Sequence, residues 1–156
     1  MGGISVLFLM GILSTIFLFF VFIFICMVFT YMIGYLFEGL TVSSYLTEKR
    51  YLAWIPFYNK YLLGNIAGDH QLGIISAICS APTIIMGYVL FMMGELNYTL
   101  FGIFLTILII GFIVDHIIAY HYISQRSKYA NLLIVISVFT LGVLRPIILF
   151  ILKDRK

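Results

Sequence analysis

The 156-residue chain is 63% hydrophobic and 10% charged, with a net charge of +3. A soluble globular domain carries about 25% charged residues, and a charge this small, set at the edges of apolar runs, is no nucleic-acid signature. These figures exclude a soluble domain and a nucleic-acid partner, and make a lipid bilayer the expected partner and solvent.

From Ile4 to Phe37 no charged side chain occurs. About 20 apolar residues suffice to cross the hydrocarbon core, so residues 4–37 are expected to be the first span. At the helical rise they would measure about 50 Å against a core of roughly 30 Å, which demands a tilt, a bend near Gly34 or a projecting end. Met1-Gly2-Gly3 supplies no basic region and the run is too long for a signal sequence, so a retained helix is expected. Val6 fails the myristoylation pattern, which needs Ser or Thr there. Glu38 falls where the segment leaves the membrane, with no second carboxylate near it in sequence, and solvent exposure is its expected state.

Residues 45–70 form a different kind of connection. Tyr51, Trp54, Tyr58 and Tyr61 alternate with Lys49, Arg50 and Lys60. Trp and Tyr settle at headgroup level, and Lys or Arg stems snorkel from it, so these seven residues are expected interfacial anchors. Pro56 forbids one continuous helix. Asn59 is placed to cap a second short helix ending near Gly64 or Gly68. Two amphipathic pieces on the membrane surface follow, either as an anchoring belt or as a platform for lipid or a partner.

The second span is expected over 72–93, with Ser76/Ser80 and Ala77/Ala81 four apart so that a neighbouring helix can approach closely. Pro82 is a kink site that neighbouring helices can compensate. Gly94-Glu95-Leu96-Asn97 then makes a tight turn into a third span over 98–123. The polar turn from Ser124 to Lys128 leads to a fourth apolar run, 131–152, interrupted by Gly142-Val143-Leu144-Arg145-Pro146. A full fourth span is expected; the alternative is a chain that turns back at the interruption. Lys and Arg counts place connections one–two and three–four in the cytoplasm and the N-terminus outside. With a full fourth span, Lys153, Arg155 and Lys156 would break that pattern by lying outside.

Asp115, His116 and His121 gather toward the end of the third span. Ionisable groups at membrane depth are functional candidates by default. Asp115, however, lies only about 13 Å inside the exit near Ser124, so an interfacial polar helix end is the first expectation and a proton or ion relay the second. Metal ligands on one helical face sit three or four apart, whereas these histidines are five apart; no metal site is expected. Arg145 lies about 21 Å along the fourth run. It is expected to snorkel or to pair with Glu95 in the outer turn; Asp115 becomes its partner only if the chain turns back. Cys26 and Cys79 lie within apolar runs and read as buried hydrophobes. No nucleophile turn, phosphate loop or zinc-protease motif occurs, so no catalytic residue and no cofactor is assigned.

Two stretches carry a resemblance. Trp54-Ile55-Pro56-Phe57-Tyr58-Asn59-Lys60-Tyr61-Leu62-Leu63-Gly64-Asn65-Ile66-Ala67-Gly68 resembles a W-I-P-x-x-N-x-Y-x-L-x-x-I-A segment, and Thr140–Phe150 resembles a T-L-G-x-x-x-P-I-x-L-F close. Both are similar to segments of an uncharacterised family of small multipass membrane proteins in low-GC Gram-positive bacteria. The resemblance covers under a fifth of the chain. It implies a bacterial plasma membrane and a surface-lying first connection, and carries no residue role.

The sequence therefore predicts one all-α domain of four transmembrane helices with an amphipathic connection between helices one and two. The expected function is non-enzymatic: an accessory, regulatory or immunity-type subunit acting by association, as a homo-oligomer or with a membrane-protein partner. A small transporter or pore with a polar path at Asp115 and Arg145 is the alternative. A membrane enzyme acting on lipid would need Glu38, Asp115 and the histidines to converge.

Overall fold

Apolar runs free of interior breakers become long helices, and each break falls at a residue whose chemistry demands it. The computed structural model describes residues 2–93 and 97–154. In chain order it contains α1 (Gly2–Tyr45), a 3-10 turn (Arg50–Trp54), α2 (Pro56–Ile66), α3 (His70–Met93), α4 (Tyr98–Ser124), α5 (Ala130–Phe139) and α6 (Arg145–Leu152). The described residues contain no strand.

The chain divides into two compact units, Met1–Ile33 and Gly34–Lys156. The first is a single helical stretch. Its Ser14 and Thr15 hydroxyls return to the Gly11 carbonyl, and that of Thr30 to Cys26. Those polar groups are satisfied within their own helix.

The second unit holds the core. Among the described residues, two helical stretches are long and apolar enough to cross a membrane, His70–Leu90 and Tyr98–Ser124, and few of their residues are buried within the protein. Pro82 lies inside α3 without ending it. Asn97 caps α4, its side chain accepting from the Leu100 amide at 3.1 Å.

Helix α2 does not start where expected. Ile55 is its N-cap and Pro56 its first residue, a position where proline's missing N–H costs nothing. Asn59 is interior to α2 and buried, and caps nothing. The helix ends in a Schellman turn: Gly68 has φ +83°, and the Asp69 amide donates to Gly64 at 2.9 Å. Glycine is required for another reason at Gly64, where an added Cβ would stand 2.3 Å from the Gly73 Cα. Helices α2 and α3 touch backbone to backbone there.

The fourth run is the main correction. The single span expected over 131–152 is two short helices, because α5 closes in a Schellman turn at Ser137–Gly142. Gly142 donates to Ser137 at 2.8 Å and Leu141 to Val138 at 2.9 Å. Leu141 and Gly142 both take left-handed conformations, φ 52° and 81°. Pro146 then sits in the first turn of α6. Side-chain contacts fix the direction of each piece. On α5, Ser137 meets His116; on α6, Arg145 meets Asp115, and the Leu149 carbonyl accepts from Tyr122 at 3.4 Å. Helix α5 thus runs antiparallel to α4 and α6 runs parallel to it: a helical hairpin whose ends return to one side.

Candidate functional site

Five elements meet at one buried cluster of charge. Glu38 comes from α1, Lys60 from α2, Ser76 from α3, Asp115 from α4 and Arg145 from the first turn of α6. The Lys60 ammonium lies 2.8 Å from Glu38 Oε2 and 2.8 Å from Asp115 Oδ2. The Arg145 guanidinium reaches Glu38 Oε1 with one nitrogen and Asp115 Oδ2 with another, the latter at 2.9 Å. The Ser76 hydroxyl donates to the free Asp115 oxygen.

The four charges alternate in a closed ring of no net charge. Each carboxylate holds both cations, and each cation holds both carboxylates. The Glu38 and Arg145 side chains are 4% and 10% exposed. At such burial each ion has surrendered its hydration, at a cost of several kcal/mol, and only its partners offset this. Burial and the neighbouring Arg145 both oppose the Lys60 charge. Asp115 and Glu38 outweigh them, and its pKa lies above the ordinary lysine value. Among the described residues Arg145 Nε has no hydrogen-bond partner, nor does the buried Asn59 amide.

Several expectations change here. Glu38 is not solvated at a helix exit but among the most buried polar groups. Lys60 is not a snorkelling anchor, since its amine turns inward. Arg145 does not snorkel, and it holds Asp115, the partner expected if the chain turned back. Glu95 lies outside the described residues.

The expected cluster of Asp115, His116 and His121 divides three ways. Asp115 joins the ring. His116 lies 2.8 Å through Nδ1 from the Phe112 carbonyl and 3.2 Å through Nε2 from Ser137 Oγ. Because a carbonyl only accepts, Nδ1 carries a proton, and in the neutral ring Nε2 then accepts from the serine. His121 pairs with Asp69 at 3.2 Å, tying the end of α4 to the α2–α3 turn. Among the described residues no group of three His, Cys, Asp or Glu side chains is placed to hold a metal.

The remaining anchors stay nearer the surface. Tyr51, Lys49 and Arg50 are exposed. Tyr58 and Tyr61, with ring centroids 5.5 Å apart, line an open apolar groove against Ile74 and Ile78 of α3. Trp54 lies across Gly39 of α1, where a Cβ would come within 2.8 Å of the indole.

A second polar contact secures the ends of the helices. The Tyr45 and Tyr122 hydroxyls are 2.9 Å apart, and Tyr45 donates to the Lys153 carbonyl at 2.8 Å. The Arg126 guanidinium stacks 3.8 Å from the Tyr122 ring centre. The ends of α1, α4 and α6 and the start of the α4–α5 connection therefore share one side.

No family model matches the chain, and neither the curated proteins nor the solved structures give a match. The site is thus read from its chemistry alone. A closed ring presents no free acid or base, so its evident capacity is to bind five elements together.

Sequence reasoning missed the inward pairing of Lys60, the Ser76 bond to Asp115 and the tyrosine clasp. The signal for Lys60 was its helical face: Gly64 and Ala67 follow at four and seven residues, and two small residues beside a lysine mark close packing.

Proposed function

We propose that the chain is an integral membrane protein acting by association, an accessory, regulatory or immunity-type subunit, with the charge ring as its internal fastening. The observation that carries this reading is the closure of the ring. Every carboxylate in it already holds two cations, which supports a structural role over proton transfer or catalysis, and the histidines bond elsewhere.

The topology we favour is three spans plus a hairpin. Residues 4–37, α3 and α4 cross the bilayer, and α5–α6 enters and leaves on the cytoplasmic side. With the N-terminus outside, every lysine and arginine beyond the apolar runs then lies inside, including the tail that a full fourth span would have sent out. The resemblance to small Gram-positive multipass proteins fits a bacterial plasma membrane.

The transporter or pore is the second reading. It is favoured by the irregular backbone at Thr140–Leu144, since such backbone at depth belongs against protein or a wet cavity. Two measurements decide. In proteoliposomes carrying an internal pH dye and a potassium gradient, association predicts no flux above empty vesicles. A flux abolished by Asp115→Asn would overturn it. In cells, a photocrosslinking residue at exposed Ile109 should give one discrete adduct, and none from any exposed position on α3 or α4 would count equally against association.

A further inference from the structure

We propose that residues 130–152 are a two-state element, held as a hairpin by the carboxylates of the charge ring and released to cross the membrane, tail outward, when those carboxylates are lost. The proposal rests on the membrane reading above.

Both states are open to this stretch. Extended as one helix, 130–152 would measure about 34 Å, enough for the roughly 30 Å core, whereas α5 alone reaches about 15 Å. The hairpin also holds a residue against its preference. Leu141 occupies the left-handed position that glycine ordinarily takes at a helix end, at φ 52° and 83% exposed. Such conformations persist where surrounding contacts over-determine them, and they gather at switch regions.

Those contacts include buried Leu149 and Leu152 of α6, the Tyr122 bond to the Leu149 carbonyl and the Phe37–Phe150 ring pair. Gly142 packs so near His116 and Phe112 that a Cβ would meet each at 3.3 Å. Ser137 bonds His116, Tyr45 holds the Lys153 carbonyl, and Arg145 holds Glu38 and Asp115. Of these, only the Arg145 contacts decide where a charge resides. In the hairpin Arg145 shares the depth of Asp115, about 13 Å inside the helix end, and needs its carboxylates. In a full span it would lie about 21 Å from Asn131, within snorkelling reach of the opposite face. The tail cations oppose that move, so the carboxylates set the balance.

The test uses the full chain with Cys26 and Cys79 changed to Ala and a single cysteine at Asp154, labelled in intact cells by a membrane-impermeant maleimide. With the ring intact, labelling below a tenth of that in opened cells is expected. In the Glu38→Gln/Asp115→Asn variant it should rise to half or more. Parallel chains carry the cysteine at Tyr98, the outer end of α4, or at Tyr129, in the inner connection. Tyr98→Cys labelled and Tyr129→Cys protected, with the tail protected in both backgrounds, overturns the switch alone. Protection of Tyr98→Cys in intact cells, or release of the protein by alkaline carbonate, overturns the membrane reading instead. Should the double variant not accumulate, Glu38→Gln and Asp115→Asn are tested singly, each removing one carboxylate from Arg145. Tail labelling above the parent's is expected in at least one, and a protected tail in both overturns the proposal.

Discussion

Glu38 and Arg145 stand 107 residues apart in the chain and form a buried ion pair. Arg145 also holds Asp115, so its removal leaves two buried carboxylates sharing Lys60 alone. Losing one partner of a buried pair costs about 3–5 kcal/mol. Arg145→Leu is therefore expected to lower the folded fraction severely, read as the monodisperse peak and its melting temperature in mild detergent. Adding Glu38→Leu should restore much of the loss, because charge balance returns. A single variant as stable as the parent would show that the Arg145 contacts add nothing to the fold.

The approach of α2 to α3 is set by two glycines. An alanine at Gly64 would place its Cβ 2.3 Å from the Gly73 Cα, a backbone atom that cannot swing aside. Gly64→Ala should lift α2 from α3 and draw Lys60 out of the ring. Overpacking of this kind costs about 1–3 kcal/mol, and the loss of the Lys60 contacts adds to it. Thermal denaturation in detergent measures the effect, and the Asn65→Ala variant at a neighbouring exposed position is the control. Equal melting of the two variants would remove the close contact from the account.

The helices were legible because apolar runs and their breaks are local. Pro56, Gly68 and Asn97 each act within a few residues, and the 3-10 turn and α2 are the two short pieces that Pro56 predicts. The fourth run was legible in composition and illegible in outcome. Its length suits a full span, whereas the chain turns at Leu141–Gly142 and brings Arg145 onto Glu38 and Asp115, which are remote in sequence. The same remoteness concealed the ring. Glu38 looked like a solvated helix end and Lys60 like an anchor, because a lone charge beside apolar residues gives the same local pattern whether it points to water or to a partner. Only the conditional pairing of Arg145 with Asp115 was readable, since a turn at Gly142–Pro146 brings them together by length alone.

Trp54 closes the 3-10 turn onto α1. Its indole lies against Gly39, its ring stands 6.4 Å from that of Tyr35, and its carbonyl accepts from the Tyr35 hydroxyl. Trp54→Ala removes the large apolar contact and keeps the carbonyl. Because the indole is part exposed, the cost should fall below the 3–5 kcal/mol of a fully buried tryptophan, at about 1–3 kcal/mol. The connection over 45–70 should become more accessible to protease in mild detergent. Unchanged protection would remove Trp54 from the forces holding the turn.

Lys60 gives the ring a defined response to pH. Its pKa is raised above the ordinary lysine value because Asp115 and Glu38 outweigh burial and the repulsion of Arg145. A group raised in this way contributes stability that is fully present below the unfolded lysine pKa of about 10.4 and is lost as pH climbs through the folded value. The stability difference between the parent and Lys60→Met should therefore stay constant from pH 7 to about 10 and shrink only above that range. Melting temperatures across pH 7–12 in detergent test this directly. A difference that closed between pH 7 and 9 would mean that desolvation dominates and that Lys60 sits in the ring as a neutral amine.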